Sequence, residues 1–173
     1  MSKRIIVNDA SCLIDLRKAG LLSAALLLPF CFQLALPVVR SELRDYTKAE
    51  IDDLIGRGLE IIDLDSGQVE QALKLKAVQA KLSVYDCFSL TLAVTQEEAI
   101  LLTGDRGLRS CAEGMGVEVH GVLWITDLLE TQGIETYEAL LKALEVLHAD
   151  PVVFLPEKEI LSRIKRLEAL LEL

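Results

Sequence analysis

Residues 5–9 read Ile-Ile-Val-Asn-Asp, and residues 99–105 read Ala-Ile-Leu-Leu-Thr-Gly-Asp. Each segment begins as a short apolar run, which is typical of a strand buried in a parallel sheet, and each ends at an aspartate. In open α/β sheets, ligands bind outside the carboxyl ends of the strands. The two segments therefore predict a buried parallel sheet with Asp9 and Asp105 at its functional edge.

Around these two segments, short β-rich runs alternate with longer helical runs, a pattern typical of α/β proteins. We predict a three-layer α/β/α sandwich with a central, mostly parallel sheet of about five strands. Strands are predicted over 5–7, 30–36, 59–64, 99–103 and 117–120. Helices are predicted over 11–18, 20–28, 38–45, 47–57, 66–80, 84–95, 105–113, 121–131, 135–148 and 157–171.

The last two predicted helices form an extension to this sandwich. We expect residues 1–132 to form the main domain, which contains the sheet, and residues 133–173 a helical extension, packed on the same domain or on a partner. Each of the two helices has an apolar face at helical spacing, which favours a homodimer as well as packing within the chain. The two faces consist of Tyr137, Leu140, Leu141, Leu144 and Leu147, and of Ile160, Ile164, Leu167 and Leu171.

The composition excludes several classes of protein. Of the 173 residues, 51% are hydrophobic and 26% are charged, which is enough to form a core and argues against disorder. The formal net charge of −9 disfavours non-specific binding of duplex DNA. The four cysteines (Cys12, Cys31, Cys87 and Cys111) lack the spacing of a zinc ribbon or finger and are expected to be buried, reduced thiols. The N-terminus has too few apolar residues for a signal peptide, so we expect a cytoplasmic protein with no membrane segment.

One uncharged stretch, residues 19–39, has the length of a membrane span. Pro29 lies in the middle of this stretch, where a proline would break a spanning helix, and no second long hydrophobic segment follows. We therefore expect a buried helix, a turn at Pro29 and a buried strand.

Two further acidic residues, Glu42 and Asp86, also lie in largely apolar segments. Buried carboxylates are costly unless a positive charge compensates them, and ligand sets made only of oxygen select hard cations. Mg²⁺ or Mn²⁺ is therefore the natural cofactor. A purely structural interpretation stays open, in which Asp9 and Asp105 cap helices and Glu42 is a solvated helix residue.

The local sequences around the four acids resemble the acidic motifs of PIN-domain nucleases. The motifs are Ile-Val-Asn-Asp9-Ala-Ser11, Val-Arg-Ser-Glu42-Leu-Arg, Ser-Val-Tyr-Asp86-Cys and Leu-Thr103-Gly-Asp105-Arg. They occur in the family's order, and their spacings of 33, 44 and 19 residues fit the family as well. The likeness covers about residues 3–130.

The resemblance implies Mg²⁺- or Mn²⁺-dependent cleavage of RNA, most often by the toxin of a VapBC-type toxin–antitoxin pair with an antitoxin protein as partner. By this likeness, Asp9, Glu42, Asp86 and Asp105 are the catalytic, metal-binding quartet, and Ser11 and Thr103 supply hydroxyls around it. Arg40, Arg44, Arg106 and Arg109 flank the quartet and are candidate phosphate contacts or ordinary solvated charges.

The chain departs from the family pattern at two positions. Many relatives carry a further acid where this chain has Gly107, so a second metal ion is expected to bind weakly. Tyr85 precedes Asp86 where a small residue is usual, which would narrow the site. His120 and His148 lack a catalytic partner and are expected to be structural or surface residues.

Two other functions are alternatives to the nuclease. A catalytically silent PIN-fold interaction module would use the same acids only for structure. A phosphatase-type enzyme with an aspartate nucleophile would need a second aspartate after Asp9, where the sequence has Ala-Ser.

Overall fold

A computed structural model describes residues 2–173 and contains one five-stranded sheet with the order β3-β2-β1-β4-β5. All four neighbouring pairs are parallel, which confirms the predicted α/β sheet. The central strands are buried on both faces, as the apolar runs require: Ile6, Val7, Ile100, Leu101 and Leu102 are all fully buried. The strands are β1 (Arg4–Asn8), β2 (Phe30–Ala35), β3 (Glu60–Ile62), β4 (Ile100–Leu102) and β5 (Glu118–His120).

The chain winds outwards from the middle of the sheet in both directions. From β1 it continues to β2 and β3, and it then crosses back to β4, which lies on the other side of β1, and ends at β5. The strand order therefore reverses between β1 and β4, the point where ligand crevices form in open α/β sheets. At this point the backbone N–H of Asp9 donates to the carbonyl of Leu102 at 2.9 Å, which extends the β1–β4 pairing.

Helices cover the sheet in two groups, as expected for the three-layer sandwich. In one group α6 contacts β1, β2 and β4 and packs against α5 and α7; in the other group α1 contacts α2, α8 and α9. The helices are α1 (Ala10–Lys18), α2 (Leu22–Ala25), α3 (Leu36–Glu42), α4 (Lys48–Gly56), α5 (Ser66–Val78), α6 (Val84–Val94), α7 (Arg106–Gly114), α8 (Val122–Thr131), α9 (Tyr137–Ala149) and α10 (Glu157–Leu171).

Several predicted boundaries differ from those of the structure. The helix predicted over 20–28 is only the single turn α2, because the chain must turn before β2 begins at Phe30. The helix predicted from residue 38 starts at Leu36, since Pro37 fits the first turn of a helix. The strand predicted over 59–64 is confined to the three residues of β3, which lies at the edge of the sheet.

The two C-terminal helices pack against each other and against the rest of the chain. Their apolar faces bury Leu140, Leu144, Ile160 and Leu167. Two ion pairs join α10 to α8: Arg163 to Asp127 at 2.6 Å and Arg166 to Glu130 at 2.5 Å. The faces that favoured a partner are thus largely covered within the chain, while the domain boundary at residue 132 and the homodimer stay predictions.

The uncharged stretch 19–39 forms α2, a turn, β2 and the first residues of α3. Its strand lies inside the sheet, between β1 and β3. Among residues 2–173, the structure has no helix that combines the length and the apolar character needed to cross a bilayer.

Candidate active site

Asp9 is the most deeply buried of the four candidate acids, with 5% of its surface exposed. It occupies the N-cap position of α1, yet its carboxylate caps no helix. Instead, Oδ2 accepts hydrogen bonds from the hydroxyls of Ser11 at 2.9 Å and Thr103 at 2.8 Å. Burial raises the pKa of Asp9 above its ordinary value, and the negative charge of Asp86 raises it further, while the two hydroxyl donors lower it. The helix-cap interpretation of Asp9 is therefore wrong.

Glu42 and Asp86 share the electrostatic environment of Asp9. Glu42 ends α3 and is half-buried. Burial raises its pKa to about 7, and the charges of Asp9 and Asp86 add to this rise. Asp86 lies in the first turn of α6, where Oδ2 accepts from the backbone N–H of Ser83 at 2.8 Å in a capping box. The fold thus brings three of the four predicted acids close enough to repel one another.

Asp105 is linked to Asp9 by hydrogen bonds that pass through Thr103. The Thr103 hydroxyl donates to Asp9 and accepts from the backbone N–H of Asp105 at 3.1 Å. The carboxylate of Asp105 caps α7, where Oδ1 accepts from the N–H of Leu108 at 2.7 Å. Asp105 is not among the charges that raise the pKa of Asp9 or Glu42. For Asp105 the helix-cap interpretation is therefore correct, although a cap uses only one of its two oxygens.

Whether these residues suit a metal ion follows from their chemistry. Within residues 2–173, no group of three or more His, Cys, Asp or Glu side chains is arranged so that it could hold a metal ion. In the same range, none of the four acids forms an ion pair with a lysine or arginine. The chemistry of the donor set is nevertheless that of carboxylate oxygens without a cationic partner, the ligand type that hard divalent cations prefer.

The two departures from the family pattern both lie beside this group. A Cβ atom at Gly107 would lie 3.2 Å from Oδ1 of Asp105 and 3.7 Å from Leu82, so a side chain there would press on the Asp105 carboxylate. Tyr85 is half-buried and packs its ring against Phe88, with the centroids 6.4 Å apart. A side chain at position 107 would therefore require a small shift of the Asp105 carboxylate that caps α7.

The four candidate arginines separate into two pairs. Arg106 and Arg109 lie in the first turns of α7 and line a cleft of about 1060 Å³ beside Asp105. Arg109 donates to the carbonyl of Val119 at 3.2 Å, whereas Arg106 is exposed. Arg40 and Arg44 are exposed and do not line this cleft.

The cleft also contains residues that the sequence analysis did not assign to the site. The ring of His120 stacks on Trp124 with centroids 4.1 Å apart, and its Nε2 lies 2.8 Å from Oε1 of Glu118. Phe154, in the connector between α9 and α10, also lines the cleft. The structural role expected for His120 agrees with these contacts, and His148 is exposed. The only sequence signal for Phe154 was an apolar run enclosed by Pro151 and Pro156.

Comparison with known proteins agrees with the predicted family and fold. No match was found among curated proteins. The model of the DUF3368 family, described as a PIN domain, matches residues 5–169. The match extends past residue 132 and includes α9 and most of α10. With a parallel sheet in the predicted order of elements and the acids of the nuclease motifs at its carboxyl edge, the chain belongs to the DUF3368 family of PIN-domain proteins.

Proposed function

We propose that the protein is a metal-dependent endoribonuclease that hydrolyses phosphodiester bonds of RNA. The observation that carries this proposal is Asp9, a buried carboxylate that caps no helix and pairs with no cation in the described chain. Such a group is expensive to keep ionised unless a positive charge reaches it. PIN domains have a nuclease fold, and phosphodiester hydrolysis is chemistry that carboxylate-held divalent ions support.

Each residue of the site has a role in this proposal. Asp9, Glu42, Asp86 and Asp105 would hold Mg²⁺ or Mn²⁺. When bound, the ion would lower the pKa of a water molecule and offset the charge of the scissile phosphate. Ser11 and Thr103 fix the orientation of the Asp9 carboxylate through its Oδ2 atom. Arg106, exposed beside Asp105, is available to donate to a phosphate oxygen.

The fixed orientation of Asp9 has a physical consequence for the proposed chemistry. A carboxylate held by two hydroxyl donors cannot rotate freely, so little reorganisation is needed when a cation and a phosphate arrive. Thr103 also holds the backbone N–H of Asp105. The Thr103 hydroxyl therefore helps to position both Asp9, which follows β1, and Asp105, which follows β4.

The decisive experiment measures cleavage of a single-stranded RNA with Mg²⁺ or Mn²⁺ by Asp86→Asn and Asp105→Asn variants. We expect both variants to keep the fold, because asparagine is a good N-cap residue at position 105 and its amide oxygen at position 86 can still accept from the N–H of Ser83. Their rates should fall by more than the roughly 10- to 100-fold that loss of a ligand's supporting hydrogen bond costs. Asp65→Asn is the matched control for Asp105→Asn, since the Asp65 side chain caps α5 from the N-cap position as Asp105 caps α7. Wild-type rates in a folded Asp86→Asn protein would refute the assignment.

A catalytically silent interaction module is the second candidate. It is favoured by the capping roles of Asp86 and Asp105, which give both residues a structural reason to be present. This candidate predicts no cleavage of RNA by the wild-type protein with either ion, whereas the nuclease predicts cleavage that EDTA abolishes.

We further propose that the protein is the VapC-like toxin of a type II toxin–antitoxin pair in the cytoplasm, with an antitoxin protein as partner and as a homodimer. Expression of the wild-type chain should then arrest growth, and expression of Asp86→Asn should not. A protein encoded by the neighbouring reading frame should restore growth. Equal growth arrest by the wild-type chain and by Asp86→Asn would contradict the toxin proposal.

A further inference from the structure

Phe154 is a large apolar side chain that the fold presents to solvent rather than to the core. It is 83% exposed, and it lines the cleft beside Asp105. Its neighbours in the connector, Val153 and Leu155, pack against the core. The connector therefore alternates between inward and outward side chains, and Phe154 points outward.

The connector is held in this conformation by polar contacts at its start. Oδ1 of Asp150 accepts from the backbone N–H of Val152 at 2.9 Å, and the carbonyl of Asp150 accepts from Val153 at 3.1 Å. Lys18 of α1 pairs with Asp150 at 3.0 Å. An aromatic ring presented by an anchored segment loses little conformational entropy when it binds a flat ligand.

A second aromatic surface lies in the same cleft. Trp124 is half-buried and held between His120, which stacks on it, and Phe30, whose centroid lies 5.7 Å away. Trp124 and Phe154 both line the cleft. Asp15, Asp127 and Glu159 line it too, and Arg163 pairs with Asp127 at 2.6 Å and with Glu159 at 3.8 Å.

The start of α7 lines the same cleft. Arg106 lies there next to Asp105 in the sequence, is exposed and forms no ion pair within residues 2–173. The cleft is therefore lined both by a cation that could bind a phosphate and by an exposed aromatic ring that could stack on a base. A nucleotide with an accessible base face has this combination of groups, whereas bases inside a duplex are already stacked.

We propose that this cleft binds an unpaired base of single-stranded RNA, stacked on Phe154, with its phosphate towards Arg106. This proposal rests on the proposed function, and it adds Phe154 as the residue that stacks on a base of the bound strand. Stacking tolerates any base, so Phe154 contributes affinity for single strands rather than a strict sequence requirement.

The test measures binding of a labelled single-stranded adenosine dodecamer RNA by anisotropy, in EDTA and again with Mg²⁺ in the Asp86→Asn background. Phe154→Ala should weaken binding by about tenfold, the effect expected for one stacked base. Val152→Ala is the matched control, because Val152 is 69% exposed in the same connector but does not line the cleft. It should bind like the wild type. Trp124 is the only tryptophan, so its fluorescence should change on binding.

The remaining outcomes separate this inference from the proposed function. Binding that depends on Phe154, without cleavage in Mg²⁺ or Mn²⁺, supports the stacking site and refutes the nuclease. Cleavage by Phe154→Ala with unchanged affinity and KM supports the nuclease and overturns the stacking site. Equal binding of the pre-formed adenosine–uridine duplex, or no binding in either condition, also overturns it. A change from dimer to monomer in Phe154→Ala, with unchanged RNA affinity, would likewise overturn the stacking site. It would make Phe154 an interface residue.

Discussion

Asp9 shows how one residue can be positioned by a partner far away in the sequence. Its carboxylate is oriented by Thr103, 94 residues later in the chain, and by Ser11, two residues later. Both donors are neutral, so they satisfy hydrogen bonds without compensating the charge. The energetic cost of burying the Asp9 charge is therefore only partly offset within the protein. A nearby cation stabilises the ionised form of such a carboxylate.

Glu42 should make the metal-free protein less stable as the pH rises. Its pKa is raised to about 7 in the folded state, chiefly by burial and then by Asp9 and Asp86. The folded state therefore holds this proton more tightly than the unfolded state between about pH 4.5 and 7, so unfolding free energy falls through that window. Because Glu42 is only half-buried, we expect a loss of about 1 kcal/mol from this group.

The measurement for Glu42 is urea unfolding in EDTA at pH 5 and pH 8. Glu42→Gln should be more stable than the wild type at pH 8 and should vary less with pH. Glu168→Gln, at an exposed position of α10, is the control and should follow the wild type. An identical pH dependence in the wild type and Glu42→Gln would show that the crowding of charges at this site is negligible.

The sequence predicted where Asp9 and Asp105 lie, but not how their carboxylates are used. Both follow apolar strands, so their place at the carboxyl edge of a parallel sheet follows from the pattern of residues. Whether each side chain caps its helix depends on rotamers that distant neighbours determine. Asp105 caps α7, whereas Asp9 turns towards Thr103 instead. No local pattern distinguishes these two cases.

At the scale of helices and strands, prediction was most successful where burial on both faces leaves no alternative. The run 5–7 lies within β1 and the run 99–103 contains β4, because a short continuous apolar segment suits a strand that is covered on both faces. The run 20–28 has a good composition for a helix, yet only Leu22–Ala25 is helical. Phe30 must pair beside Arg4 at the start of β2, and this tertiary register outweighs local preference.

Leu167→Ala in α10 should destabilise the protein by about 2 to 4 kcal/mol, because this side chain is 1% exposed and its removal leaves a cavity. The measurement is urea unfolding followed by circular dichroism. Leu170→Ala is the matched control, since Leu170 is 37% exposed on the same helix and alanine favours helices. If Leu167→Ala lowered the free energy of unfolding no more than Leu170→Ala does, α10 would contribute little to the core.

The same unfolding curves test the boundary at residue 132. Trp124 lies in α8, before the boundary, so its fluorescence reports on the first segment. Circular dichroism reports on all helices, including α9 and α10. Coincident transitions would mean that the C-terminal helices unfold with the sheet as one unit, as the ion pairs from Arg163 and Arg166 favour. An earlier transition in circular dichroism alone would support a separate extension.

Across the whole molecule, the acids of the site belong to a chain that is already negative, with a formal net charge of −9. Repulsion among all these charges acts on the folded state more strongly than on the expanded one. A divalent cation held by Asp9, Glu42 and Asp86 would remove the most crowded part of this repulsion, and it would do so only in the folded protein.

Millimolar Mn²⁺ or Mg²⁺ should therefore raise the melting temperature of the protein. A ligand that binds only the folded state at about 100 times its Kd adds about 2.7 kcal/mol. For a domain of this size, that corresponds to roughly 5 to 10 °C. The rise should shrink below about pH 7, where Glu42 becomes protonated and competes with the ion. The measurement is a thermal melt with MnCl₂, MgCl₂ and NaCl at matched ionic strength, repeated on Asp9→Asn, which should lose the difference. Equal melting temperatures of the wild type in all three salts would mean that the carboxylates hold no divalent ion.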